Sequence, residues 1–123
     1  MQDRHALWLD QSLSALIEDL DGRGLLAKTL VLAVGEFGRM PKINDKAGRD
    51  HWEHCYSGLI AGGGVRGGQV VGSSDARAEH VHDRPIGPAD LVTTVQYAVG
   101  VTSEQSQSLG IALDKGKVVG ELF

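Results

Sequence analysis

The segment Leu30-Val31-Leu32-Ala33-Val34 decides the fold class of this chain. It is a continuous apolar run that contains two β-branched valines, and it is long enough for one strand. A strand without polar alternation is typical of a parallel sheet that is covered on both faces. The run therefore predicts a central, buried strand of an α/β domain.

Helices and weaker strands are predicted on both sides of this strand. Between Leu7 and Leu20 the apolar residues recur at spacings of three and four, which indicates a helix that ends near Asp21-Gly22. A second helix begins at Pro88 and ends at Gly100. Further strands are expected around residues 56–61 and 69–71, and the tail 116–123 is expected to form an edge strand.

Only one of these strands is strongly apolar, and a sheet with two covered faces needs several such neighbours. We therefore expect residues 1–123 to form a single partial domain, a partial parallel or mixed sheet flanked by helices. The missing strands would come from an upstream segment of the same fold or from another chain. Without them, the chain is expected to self-associate.

Composition excludes several classes of protein. The chain has 123 residues, suited to one domain, and a formal net charge of -4 without a cluster of Lys and Arg, which argues against nucleic acid as a partner. No apolar run approaches the roughly 20 residues that span a bilayer, and the first residues lack the apolar core of a signal peptide. The single cysteine, Cys55, excludes an internal disulfide and a thiolate-rich zinc site.

The segment from Gly35 to Asp50 reads as a long loop at the carboxyl end of the central strand, where α/β folds bind ligands. It opens with GEFGR at 35–39, which contains Glu36 and Arg39. An acid and a guanidinium at this place are suited to a ligand site. The alternative is a turn with a solvated salt bridge.

A second motif is GRDHW at 48–52, with His54 close behind. Asp50 and His51 are residue types that ligate divalent metals, and Arg49 is suited to holding a phosphate or sulfate. The alternative is that Asp50 orients His51 or caps a strand, while Trp52 packs.

The segment from Asp75 to Asp83 is rich in histidine. His80 and His82 are two residues apart, so on a strand they would share one face and could bind zinc or nickel. The alternative is a solvated surface turn. The glycine-rich segment 62–68 lacks the lysine and the Ser/Thr of a phosphate-binding P-loop, and no nucleophile elbow of a serine hydrolase is present.

Six motifs, in this order, resemble the family known as domain of unknown function 1501. They are DQSLSALIEDL at 10–20, TLV at 29–31, GEFGR, GRDHW, AGGG at 61–64 and GGQVVG at 67–72. The resemblance extends from about Asp10 to Gly100. That family is similar in fold to the alkaline phosphatase and sulfatase superfamily, and this chain would match its C-terminal part.

The resemblance implies roles for residues of both loop motifs. Glu36 stands where the superfamily has a metal-binding aspartate, Phe37 where it has a histidine, and His51 where it has a later histidine. A divalent metal (Zn, Ca, Mg or Mn) would then be held by Glu36, His51 and Asp50. Arg39 and Arg49 would bind the anionic group of the substrate.

The implied parent function is metal-assisted hydrolysis of a phosphate or sulfate ester. The superfamily's nucleophile and several of its metal ligands would lie upstream of Met1, so the chain alone is expected to be inactive. Phe37 cannot ligate a metal, which predicts an altered site. The alternatives are a non-catalytic binding or structural module and a gene fragment without a separate function. The resemblance does not decide whether full-length relatives are exported from the cell.

Overall fold

The computed structural model describes residues 2–110 and 116–123. Its main elements are the helices α1 (Gln2–Gly22), α2 (Pro88–Ala98) and α3 (Ser103–Ser108), and the strands β1 (Leu30–Val34), β2 (Gly38–Arg39), β3 (His51–Trp52), β4 (Gly58–Gly62), β5 (Ser73–Ser74) and β6 (Val81–Asp83). Short 3-10 turns cover Leu26–Lys28 and Gly120–Leu122. The chain is thus of mixed α/β content, as predicted.

The strands form small antiparallel sheets, and the predicted parallel pairing is not found among the described residues. β1 pairs with β4, β2 with β3, and β5 with β6, each pair antiparallel. Parallel neighbours require a long crossover connection, usually through a helix. The connection from β1 to β4 instead contains the β2–β3 pair and returns directly, so β4 runs against β1.

β1 is less buried than its sequence predicts. Leu32 is 39% exposed and Val34 is 45% exposed, while the intervening Ala33 is half-buried. In the register of this sheet Leu32 lies opposite Ile60 and Val34 opposite Gly58. The strand itself is confirmed, but a single partner strand leaves part of its apolar surface in solvent.

Glycine is required at the end of β4. Gly62 has a φ of +71°, a conformation that L-residues rarely adopt, and a Cβ atom there would overlap the carbonyl oxygen of Thr29. The chain can therefore turn away from β1 immediately after the paired segment.

Both predicted helices are present, and α1 begins earlier than its apolar spacing suggests. Along α1, Leu13, Ile17 and Leu20 are half-buried, whereas Leu9 and Leu16 are exposed. No helix among the described residues is long and apolar enough to cross a membrane.

The start and end of α2 follow the predicted signals. Pro88 is its first residue, and the Asp90 carboxylate accepts a hydrogen bond from the Gly87 amide at 2.9 Å. Gly100, with a φ of +76°, follows its end. α3 was not predicted from the sequence patterns. It begins with a reciprocal pair of hydrogen bonds between Thr102 and Gln105.

The tail is not an edge strand, contrary to the sequence prediction. Its backbone donors are taken by side chains of α2: the Lys117 amide donates to Asp90 Oδ1 at 2.7 Å and the Val119 amide to Thr94 Oγ1 at 3.0 Å. Val119, Thr94 and Ser106 are the most buried side chains among the described residues. The best-covered side chains among the described residues therefore lie on α2, α3 and the tail.

The strand predicted at 69–71 is also wrong. Val70 is 91% exposed, and pairing begins at Ser73 instead. Gln69 is held by its side chain, whose amide donates to the carbonyl oxygens of Arg66 and Glu121. This contact attaches the segment to the tail. Residues 69–71 therefore do not pair with a strand.

Candidate functional site

The predicted loop after β1 is folded as a hairpin of β2 and β3. Arg39 lies opposite His51 and Gly38 opposite Trp52, and the Met40 amide donates to the Asp50 carbonyl at 2.9 Å. Because opposite residues of an antiparallel pair share one face of the sheet, the register brings the GEFGR and GRDHW motifs together.

Gly38 makes this hairpin possible. It is buried, and a Cβ atom at this position would overlap the carbonyl oxygen of Cys55. The hairpin therefore lies directly against the segment that leads into β4, and a larger residue at 38 would displace it.

The two arginines of the motifs are linked through backbone carbonyls. Arg39 Nη1 donates to the carbonyl of Arg49 at 3.2 Å, and Arg49 Nη1 donates to the carbonyl of Met40 at 2.9 Å and to that of Pro41. The Arg39 guanidinium also lies 5.6 Å from the centre of the Phe37 ring. Both side chains are exposed, so each keeps N–H groups for a ligand.

Phe37 covers the ring of His51. The two rings are stacked, with centroids 3.7 Å apart and planes inclined by 23°. The sequence predicted an altered metal site here, because Phe37 cannot ligate a metal. In this chain that position holds a ring that packs on His51.

Asp50 is engaged by its own loop. Its Oδ1 accepts a hydrogen bond from Asn44 Nδ2 at 2.8 Å, and Asn44 Oδ1 in turn accepts from the amides of Lys46 and Gly48, both at 3.0 Å. Glu36 is exposed and forms no hydrogen bond or ion pair with any other described residue. The two carboxylates therefore have different environments.

The predicted metal ligands of this loop do not by themselves form a complete coordination site. Within residues 2–110 and 116–123, no group of three or more His, Cys, Asp or Glu side chains is arranged to hold an ion. Glu36, Asp50 and His51 thus do not fit a metal as a set of their own. Their assignment as ligands stays a prediction.

A second cluster of rings lies next to the hairpin. Trp52 makes an edge contact with His54, with centroids 4.6 Å apart, and it lies 5.9 Å from His80. The two histidine rings are 5.4 Å apart. The Trp52 indole Nε1 donates to the Glu79 carbonyl at 2.6 Å, which joins β3 to the turn before β6.

Asp75 organises that turn. Its carboxylate accepts hydrogen bonds from the amides of Arg77, Glu79 and His80 at 3.0, 2.9 and 3.2 Å. These bonds, led by that from Glu79, lower the pKa of Asp75 below its ordinary value of 3.8, although desolvation opposes them. The backbone of this turn is therefore held in place. His80 lies in the turn, immediately before β6.

Two shallow clefts flank the loop between β2 and β3. One of about 380 Å³ is lined by Met40, Pro41, Lys42, Arg77 and Glu79. The other, of about 260 Å³, is lined by Met40, Lys42, Ile43, Asn44, Asp45 and Asp50. Both are open to solvent and carry mixed charge, so neither defines a ligand by its shape.

The sequence patterns identified the hairpin motifs but missed the contact between His54 and His80. The pairing considered for His80 was with His82, two residues away. His82 belongs to β6, whereas the ring of His80 lies with those of Trp52 and His54. A contact across 26 positions leaves no local signal in one sequence.

One comparison with known proteins agrees with the resemblance to a family of unknown function. The family model described as "Protein of unknown function (DUF1501)" matches residues 1–122. Searches of curated proteins and of solved structures gave no match. Since the family model covers almost the whole sequence, this chain belongs to the DUF1501 family of proteins of unknown function.

Proposed function

We propose that this chain is the C-terminal portion of a sulfatase-like fold whose complete form hydrolyses phosphate or sulfate esters with the help of a metal. Within it, the β2–β3 hairpin would supply the anion-binding edge of the site. The observation that carries the proposal is the register of this hairpin, in which Arg39 lies opposite His51 while Arg39 Nη1 donates to the Arg49 carbonyl.

The arginines are suited to an anion because their positions are already restrained. A guanidinium has five N–H donors in a planar fork, and in both residues only Nη1 donates to backbone carbonyls among the described residues. The remaining donors match the oxygens of a phosphate or sulfate. Restraint by the hairpin reduces the rotamer entropy that would be lost on binding.

The metal would need ligands beyond this loop. We propose that His51, with Glu36 and Asp50, contributes part of a ligand set for Zn, Ca, Mg or Mn, and that the other ligands belong to another part of the fold. The described side chains do not by themselves form a complete ligand set for an ion.

Exposed apolar residues support the idea that another segment covers the β1–β4 sheet. Leu32, Val34 and Leu59 are 39%, 45% and 42% exposed. A two-stranded sheet is marginal in water without a covered face. We propose that further strands or helices, from an upstream segment of the same fold or from another chain, pack against it.

A non-catalytic binding or structural module is the second candidate. The observation that favours it is Phe37, whose side chain has no atom that can ligate a metal and which packs on the His51 ring instead. In this version the arginines still bind an anion, but no ester is cleaved.

Anion binding by the hairpin can be tested by titration of the chain with inorganic phosphate and sulfate, monitored by amide chemical shifts. Arg39→Gln and Arg49→Gln should each weaken binding by about tenfold, the value of one charge-assisted contact. Arg23→Gln is the matched control, since it removes one positive charge just after α1, where the Arg23 side chain pairs with Asp19 at 2.9 Å. An equal effect of all three changes would mean non-specific screening and would refute the assignment.

The two candidates differ in turnover. In a longer protein that contains this chain with its upstream segment, the hydrolase proposal requires turnover of aryl phosphates or aryl sulfates that depends on added metal. Arg39→Gln should then lower kcat/KM. Anion binding without any ester cleavage in that protein would favour the non-catalytic module.

A further inference from the structure

We propose that His54 and His80 form a surface site for one divalent transition metal of the zinc class. The site shares no residue with the proposed anion site. It lies where the segment after β3 meets the turn before β6. Nothing in the motif comparison assigns a role to this pair of histidines.

The separation of the two rings fits a shared ion. A Zn–N bond is about 2.0–2.1 Å, and an imidazole centroid lies roughly 1.1 Å behind its nitrogen, so two imidazoles at a tetrahedral angle on one ion have centroids about 5.2 Å apart. The centroids of His54 and His80 are 5.4 Å apart. Small side-chain rotations would bring a nitrogen of each ring onto the same ion.

The same geometry discriminates between metals. Two imidazoles in the square-planar sites that Cu²⁺ and Ni²⁺ prefer lie at an angle of 90° or 180°, with centroids about 4.5 or about 6.3 Å apart. The observed 5.4 Å requires a larger adjustment for either arrangement. Zn²⁺ has no electronic preference for a planar site and therefore fits with the least movement.

The backbone around His80 is held in place. His80 follows the Glu79 carbonyl that accepts from Trp52 Nε1, and the Asp75 carboxylate accepts from the His80 amide at 3.2 Å. The Asp75 amide also donates to the His80 carbonyl at 2.9 Å. Supports of this kind restrict the ligand positions before a metal binds, which increases affinity.

Exposure and charge also allow an ion to bind. The His54 side chain is 48% exposed, and the Glu53 carboxylate lies 4.0 Å from His54 Nε2. This carboxylate adds negative charge beside the pair. No third ligand side chain completes the set within the described residues, so the other coordination positions would be left to water or to a group of another molecule.

Calorimetric titration of the metal-free chain with ZnCl₂ tests the proposal. One saturable site is expected, and His54→Ala and His80→Ala should each weaken it by at least about tenfold, since even the loss of groups that only support a ligand has effects of that order. His80→Cys, which restores a zinc ligand, should recover most of the affinity. His5→Ala and His82→Ala serve as matched controls and should bind as the unchanged chain does.

Two further measurements locate the ion. In a Trp8→Phe background, Trp52 is the only tryptophan. Co²⁺, which adopts the same tetrahedral geometry as Zn²⁺ and quenches tryptophan, should reduce its fluorescence, and this effect should disappear with His54→Ala. His51→Ala should leave zinc binding unchanged, which separates this site from the proposed hydrolase metal.

Either of two results would overturn the inference. One is the lack of saturable zinc binding by the unchanged chain. The other is zinc binding whose affinity is unchanged by His54→Ala and by His80→Ala. Far-UV circular dichroism of each variant would verify that the exposed substitutions leave the fold intact.

Discussion

Replacement of Thr94 by valine should detach the tail from α2. Thr94 is fully buried, and its Oγ1 accepts the Val119 amide at 3.0 Å while donating to the Asp90 carbonyl at 2.6 Å. Valine keeps the volume but leaves the Val119 N–H buried without an acceptor. An orphaned buried donor costs about 1–3 kcal/mol, so Thr94→Val should lower the free energy of unfolding by that amount.

Thr94→Ser is the control for this change, because it keeps the hydroxyl and removes only a methyl group, worth about 0.8 kcal/mol. Urea unfolding at a fixed protein concentration gives the stabilities, and amide hydrogen exchange at Val119 gives the local effect. Thr94→Val should lower the free energy of opening at the Val119 amide, obtained from its exchange rate, by more than it lowers the global free energy of unfolding. Thr94→Ser should not show this difference. If Thr94→Val were within about 0.5 kcal/mol of the unchanged chain and Val119 stayed protected, the hydrogen bond would not be what holds the tail.

Three other predictions concern acid, turnover and association. The hydrogen bonds from Arg84 lower the pKa of Glu121 from 4.5 to about 2. The stability that this pair contributes is therefore complete above pH 4.5 and is lost as the pH falls towards 2. Arg84→Gln should reduce this acid-dependent loss of stability in thermal melts recorded at several pH values. The purified chain should show no phosphatase or sulfatase turnover above a metal-only control on aryl esters, and turnover abolished by His51→Ala would contradict this. Size-exclusion chromatography should show self-association through the exposed β1–β4 sheet, whereas a monodisperse monomer with a sharp melt would show that the chain completes its own fold.

Local signals in the sequence predicted the elements better than their pairing. The spacing of Leu13, Ile17 and Leu20, together with Pro88 and Gly100 around α2, predicted helices that the structure contains. These signals act within a few residues. Strand direction depends instead on what lies between two strands, and the sequence between β1 and β4 did not indicate that its loop would fold as a hairpin.

The tail shows why an apolar pattern alone is insufficient. Val118 and Val119 suggested a strand, but the acceptors for their segment are the side chains of Asp90 and Thr94, about 25 residues earlier in the chain. Side-chain acceptors of this kind compete with a sheet ladder for the same amides. A single sequence does not show which of them will lie nearby.

The candidate site was predictable where it depended on neighbouring residues. GEFGR and GRDHW were identified as one loop, and the register of Arg39 against His51 agrees with that interpretation. The stack of Phe37 on His51 and the contact of His54 with His80 depend on side-chain packing across the hairpin and between separate turns. Neither follows from residue spacing.

The attachment of the tail to α2 also has a consequence for the order of folding. Asp90 and Thr94 are one helical turn apart, so they meet the amides of Lys117 and Val119 together only after α2 has formed. Because these contacts join segments 25 and 27 residues apart, we expect them to form late, after the rate-limiting step of folding. Contacts that are absent from the transition state affect the unfolding rate and leave the folding rate almost unchanged. The attachment of the tail to α2 should therefore slow the unfolding of the chain.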